Sequence, residues 1–373
     1  MSPNCNSQIS DSLFRLALNA LHEKPDESAV VSSFSMAMAL AMANLGAKGN
    51  TSREITDALF AGLSKDGITA WFHDHLAKLN TSGSPLSIAS AIYLEKSLDL
   101  LESYTTNVMQ NFDSKVEKVN FSGDPKTQVA ILNRFVEEAT KGHIKELFTD
   151  RVITPLTKLV LVNALHFKAS FKNEFSESQT RQGNFYNEDS TAKRVEMMNE
   201  TLSGLFNSTS DFDFASFNFI DSAYGFFLIV PKANLSDLKN QFLTSEHSLS
   251  NTLKYSYRIP RIHTTVPKFN LETSYDLVGT LTSIGIKDIF LPGRADLSGI
   301  TEKGLHVSNV VHKAVFDLNE RGVEAAAATA VECYFHSERC FPPDAEERVI
   351  KADKPFLFGV AYDNIPLFVG QYY

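Results

Sequence analysis

Residues able to do chemistry are thinly spread in this chain and do not fall into catalytic spacing. There is no G-x-S-x-G nucleophile elbow, no phosphate-cradling G-x-x-x-x-G-K, no H-E-x-x-H and no C-x-x-C. His73 and His75 form a lone His-x-His pair, but residues two apart do not share a helix face, so they read as solvated surface histidines and not as metal ligands. Asn-x-Ser/Thr occurs at Asn50, Asn80, Asn120, Asn199, Asn207 and Asn234, which in a chain without a visible export signal are chance matches. The three cysteines, Cys5, Cys333 and Cys340, are too few for a disulfide framework. The reading at this level is no enzyme, no metal and no cofactor.

One segment stands apart. Glu320 to His336 reads ERGVEAAAATAVECYFH, and its alanine run permits a helix. Read at period two, Val323, Ala325, Ala327, Thr329, Val331 and Cys333 share one small, apolar face, while Glu324, Ala326, Ala328, Ala330, Glu332 and Tyr334 share the other. A strand of this kind could enter a sheet with its small side chains inward and its charges in water. Ser337 to Ala352 follows as a polar stretch containing Pro342 and Pro343, which continue neither strand nor helix and mark an exposed loop.

The remaining elements must hold that segment. Ile9, Leu13, Leu16, Ala17 and Ala20 form one stripe of an amphipathic helix. From Ser35 to Leu45 nearly every face is Met or Ala, the pattern of a helix buried all round, with Gly46 placed to stop it. A third helix runs near Val129 to Lys141 with Ile131, Leu132, Phe135 and Val136 inward and Gly142 beyond its end. Lys158 to Phe167, Tyr224 to Val230, Pro355 to Val360 and Leu367 to Gln371 are continuously apolar strands covered on both faces. Helices and strands do not alternate regularly, so the fold class is mixed α+β, and no seam divides the 373 residues into separate domains.

Composition narrows the partners. Apolar residues make up 43% and charged residues 21%, which excludes disorder, and the formal net charge of −9 argues against nucleic acid or an anionic membrane. The longest apolar stretch, Phe34 to Leu45, would be about 18 Å long as a helix against a bilayer core of about 30 Å. The polar start, Met1 to Ser10, has no basic region or apolar core of a signal peptide, so the expected location is cytoplasmic.

Six separate motifs, in order along the chain, resemble the serpin family. They are Leu45-Gly46-Ala47-Lys48-Gly49-Asn50-Thr51, then Val162-Asn163-Ala164 with Phe167-Lys168, Asp296-Leu297-Ser298-Gly299-Ile300 and His312-Lys313-Ala314. The hinge-like Glu320-x-Gly322-x-Glu324 through Thr329 and Ala352-Asp353-Lys354-Pro355-Phe356 complete the set. Departures are local: Ser33 replaces the usual proline, Phe135 and Phe171 the usual tryptophans, and Ala169 a glycine.

The resemblance implies one serpin domain over residues 1–373, with three β-sheets, eight to nine α-helices and an exposed reactive-centre loop at about 320–350. It implies a monomer, prone to polymerise, that traps a target protease covalently: the loop is cut and its N-terminal part inserts into the central sheet. Glu320, Gly322, Val323, Glu324, Ala325, Ala326, Ala327, Ala328 and Thr329 would be the hinge. Ser32, Ser35, Asn163 and His312 would form a hydrogen-bonded latch beneath the opening strands. The cut is expected between His336 and Ser337, with Tyr334 and Phe335 setting specificity. Phe335 favours a papain-like cysteine protease of the cathepsin type, followed by a chymotrypsin-like serine protease; cutting after Arg339 or Asp344 is a weaker option. Cys333 and Cys340 flank the bond and are read as free thiols. The segment from Glu320 to His336 would extend roughly 55 Å, close to the diameter of about 54 Å expected for a compact chain of this size. A non-inhibitory carrier, chaperone or storage protein on the same fold is the competing reading.

Overall fold

The structure, a computed structural model, describes residues 3–81, 83–149, 152–189, 191–323 and 346–373. The helices are α1 (Pro3–Leu21), α2 (Ser33–Gly46), α3 (Gly49–Leu59), α4 (Lys65–Leu79), α5 (Glu102–Phe112), α6 (Pro125–Ala139), α7 (Leu235–Leu243), α8 (Leu249–Lys254) and α9 (Val278–Ser283). Their starts are written in the sequence as acceptors for otherwise orphaned amide groups: Ser32, Ser64, Asp124, Asn234 and Ser248 each cap the helix that follows.

The strands form two hydrogen-bonded sheets. The first has the order β3 (Lys115–Val119), β2 (Leu86–Glu95), β4 (Leu159–Phe167), β12 (Asn309–Asn319), β13 (Gly322–Val323) and β5 (Ala169–Ser170), with β11 (Phe269–Asp276) on the other side of β12. The second runs β1 (Ala29–Val31), β16 (Ile365–Tyr372), β15 (Phe356–Tyr362), β9 (Tyr224–Pro231), β8 (Phe212–Asn218), β7 (Ala192–Ser208), β10 (Tyr257–Pro267) and β14 (Glu347–Lys351), with β6 (Arg181–Tyr186) also on β7. Among the described residues the expected sheets are joined into two by continuous hydrogen bonding, since β7, 17 residues long, pairs with β6, β8 and β10.

Both faces of the first sheet are covered. One packs on the large core that includes α1, α2 and the second sheet, and the other on a smaller apolar cluster beneath α6. All residues of β4 are therefore buried, as its continuous apolar run predicts. In α2 only Leu45 is not fully buried. Gly46 is required by close approach: a Cβ there would lie 2.1 Å from Ile300 Cγ1. The turn motif after α2 and the D-L-S-G-I motif are thus one packing unit, joined by Gly299 N to Gly46 O at 2.9 Å and Lys48 N to Asp296 O at 2.8 Å.

Two expectations fail. Ile131 is exposed and not part of the inward face of α6, whose buried stripe is Gln128, Val129, Leu132 and Val136, because α6 docks on the sheet through the edge of its apolar face away from Ile131. His75 is buried and not a surface residue: it lies one turn beyond Trp71, its ring 4.1 Å from the indole and Nδ1 2.6 Å from the Trp71 carbonyl oxygen. His73 is exposed as expected.

Candidate functional site

The site is a seam between two parallel strands. β4 and β12 pair in register from Val160–Asn309 to Leu165–Ala314, which places Asn163 beside His312. Beyond Ala314 the strands part, and β13 occupies the gap. It pairs antiparallel with β12 (Val323 to Leu318) on one side and with β5 (Val323 to Ala169) on the other. The chain reaches that position through a tight reversal at Glu320 and Arg321.

The reversal is anchored firmly. Glu320 is buried, and its carboxylate accepts from Thr180 Oγ1 at 2.8 Å and Lys268 Nζ at 2.9 Å. Burial pushes this carboxyl upward, but the Lys268 and Thr180 bonds outweigh it and hold the group below the usual glutamate value. The Glu320 carbonyl accepts from Phe175 N at 2.8 Å and the Arg321 carbonyl from Phe171 N at 2.7 Å. Phe171, at a position where tryptophan is usual in the resembling family, stacks on Phe219 with centroids 5.1 Å apart. Gly322 has φ +150°, and a Cβ on it would sit 2.1 Å from the Ala169 carbonyl oxygen, so glycine is needed on both grounds.

Below the gap, the first turn of α2 bridges the two strands. Ser32 caps the helix through its hydroxyl, 3.3 Å from Ser35 N, and donates its backbone N–H to His312 Nε2 at 2.9 Å. Ser35 Oγ donates to Asn163 Oδ1, and Asn163 Nδ2 donates to Ser90 Oγ on β2 at 3.5 Å. The four expected latch residues are therefore brought together, Ser32 bonded to His312 of β12 and Ser35 to Asn163 of β4. As an acceptor, His312 Nε2 carries no proton, and complete burial pushes the imidazole down to about 3. Ser90, Lys268 and Thr180 are partners that sequence reading missed.

Glu324, Ala325, Ala326, Ala327, Ala328 and Thr329, together with Tyr334, Phe335, His336, Ser337, Cys333 and Cys340, lie outside the described residues. The described residues contain no cluster of three or more potential metal ligands and no helix long and apolar enough to cross a membrane. Asn120 and Asn234, two of the Asn-x-Ser/Thr positions, serve as local caps: Asn120 Oδ1 accepts from Gly123 N and Asn234 Oδ1 from Asp237 N.

Comparison with known proteins agrees with this geometry. Residues 7–373 match the family model described as Serpin (serine protease inhibitor). The chain is 34% identical to Iripin-1 of Ixodes ricinus, over 99% of this chain and 96% of that protein. It is 31% identical to the leukocyte elastase inhibitor of Equus caballus, over 98% and 97%. The structure of human thyroxine-binding globulin with its hormone superposes with a TM-score of 0.83 at 28% identity, covering 99% of this chain and 97% of that one.

Proposed function

Because this chain belongs to the serpin family of protease inhibitors and is not an enzyme, we propose that it acts as a suicide substrate whose cut loop inserts between β4 and β12. The observation that carries the reading is β13, already hydrogen-bonded on both sides at the top of the seam. Insertion continues a pairing that exists and does not begin one.

The two registers of β13, extended along the sheet, bring Ala325 opposite Phe316, Ala327 opposite Ala314, and Thr329 between His312 and Asn163. The large side chain on β12 meets an alanine, which avoids overpacking. The hydroxyl arrives where the latch has been pulled apart, and it can both donate and accept there. Glu320 stays bound to Lys268 and Thr180, so the fixed end of the tether does not follow the moving end.

An attached protease would be carried the length of the molecule, and displacement of its catalytic groups by about 1 Å is enough to slow deacylation roughly a hundredfold. We assign the cut to His336–Ser337 and the target to a papain-like cysteine protease, with a chymotrypsin-like serine protease second, on the bulk of Phe335 and Tyr334. Human thyroxine-binding globulin, which shares this fold, is complexed with its ligand, so the fold also accommodates ligand binding. Small residues throughout Ala325–Thr329 support inhibition here. Incubation with cathepsin-type and chymotrypsin-type proteases, followed by denaturing electrophoresis and mass measurement of the released fragment, tests the proposal. A covalent complex with a fragment beginning at Ser337 is expected; clean turnover of the loop by every protease without a trapped complex would refute it.

A further inference from the structure

A cavity of about 190 Å³ opens where the chain following β5 meets β7, β8 and β10. Leu202 and Phe217, both buried, contribute apolar wall, and Lys172, Asn173, Ser203, Asn218 and Arg258 complete the lining, with Lys172 and Arg258 exposed at its rim. No carboxylate lines it. Neither Lys172 nor Arg258 makes an ion pair among the described residues, although Lys268, Arg261, Lys313 and Lys351 all do. In a chain of net charge −9, two unpaired cations facing one concavity reverse the local sign.

The backbone sets where both cationic side chains start. Lys172 N donates to Asn218 O at 3.0 Å, and Arg258 lies in register opposite Leu205 of β7. A guanidinium fork, an ammonium, an amide and a hydroxyl around an apolar wall make a donor set suited to an oxyanion with a short carbon body. The volume is below the roughly 300–1,000 Å³ of sites for drug-sized ligands, which excludes a nucleotide or a polyanion chain.

We infer that this cavity binds a small oxyanion, a single phosphate group or a short dicarboxylate, between Lys172 and Arg258. Its placement gives binding a consequence. Lys172 is two residues from Ser170, which pairs with Gly322 of the hinge, and Arg258 is on β10, which pairs with β14, where the described chain resumes after the loop. An anion held by both ties together the segments at the two ends of the loop and stabilises the uncut arrangement by mass action.

The test titrates the full chain with sodium phosphate and, separately, with sodium succinate, holding ionic strength constant with sodium chloride. Binding is followed by calorimetry and melting temperature. Saturable binding of at least one anion is expected, weakened about tenfold in Lys172→Met and in Arg258→Met, as removal of one charge-assisted hydrogen bond predicts. Lys126→Met, on the surface of α6, leaves it unchanged, and Arg258→Lys, which keeps the charge, retains most of it. The preferred anion distinguishes phosphate from dicarboxylate. A melting shift that grows without saturation, or that is equal in the wild type and in both methionine variants, is a general salt effect and overturns the site.

Discussion

His312 is neutral at pH 7 because it is buried and because its Nε2 must accept from Ser32. Its value in the folded chain, about 3, lies below the ordinary histidine value of about 6.5. A depressed value of this kind gives stability that is complete above pH 6.5 and is lost as pH falls toward 3. The unfolded chain then binds the proton more readily, and the slope from one such group reaches about 1.4 kcal/mol per pH unit. His312→Gln keeps an acceptor but does not titrate, so the pH dependence of its unfolding free energy between pH 6.5 and 4.5 should be flatter than in the wild type. An identical slope would remove His312 from the account. His312→Ala leaves the Ser32 amide without its acceptor and should raise polymer formation on mild heating, read as loss of monomer in size-exclusion chromatography. Glu320 obeys the same sign rule at lower pH: its stabilisation is present above about 4.3–4.5 and fades below. Glu320→Gln weakens the hold of Lys268 and should cost about 1–3 kcal/mol in denaturant unfolding at pH 7.

At the scale of elements, the segment after α6 crosses the seam like a strap. Its His143 ring lies flat on His166 of β4, centroids 3.8 Å apart and planes 8° apart, while its Glu146 carbonyl accepts from Lys313 of β12 at 2.8 Å. Asn133 of α6 holds the strap with three hydrogen bonds to Leu147 and Phe148. Burial pushes His166 down to about 3, helped by the charges of His143, Lys168 and Lys141; His143 is also lowered, by burial and then by Lys168 and Lys141. Acid therefore weakens the stack on β4 as it weakens the latch below. Loop insertion should therefore speed up as pH falls below 6.5, and His143→Phe, which keeps a stacking ring without a titrating group, should reduce that acceleration between pH 6.5 and 4.5. Equal acceleration in the variant and the wild type, measured by stopped-flow with a fluorescent label on the loop, would contradict this.

These contacts also show what sequence could carry. The hinge glycine, the helix cap at Ser32 and the amide inside the apolar strand at Asn163 are recognisable from their own neighbours. Lys268, Thr180 and Ser90 are not, since each meets its partner only through the register of strands far apart in the chain. Ile131 and His75 depart from the sequence pattern because helical spacing sets which residues share a face but not which part of that face meets a neighbour: α6 turns Val129 and Leu132 inward, and the Trp71 ring covers His75.

For the whole molecule, the proposed mechanism requires the uncut chain to hold a sheet that can accept another strand. Insertion exchanges one ladder between β4 and β12, the positions Asn309–Ala314, for two ladders flanking the new strand. Each added hydrogen bond contributes about 0.5–1.5 kcal/mol net, so even one extra ladder is comparable with the roughly 5–15 kcal/mol that stabilises an ordinary domain. On that mechanism the intact form persists because the seam is closed by α2 below and strapped from above, a kinetic barrier and not a free-energy minimum. Cutting the loop with a protease that is not trapped should allow insertion without any partner. Calorimetry of the nicked chain should show a melting temperature at least about 10 °C above that of the intact chain, given that 1 kcal/mol corresponds to about 2–4 °C or less at this size. Gly322→Ala sharpens the test. Its Cβ would collide with the Ala169 carbonyl and unseat β13, so the intact variant should already melt below the intact wild type, and the nicked variant should in addition lose a large part of the rise. If nicked and intact wild type melted together, the paired β13 would be an ordinary short strand, and the inhibitory mechanism would have no driving force.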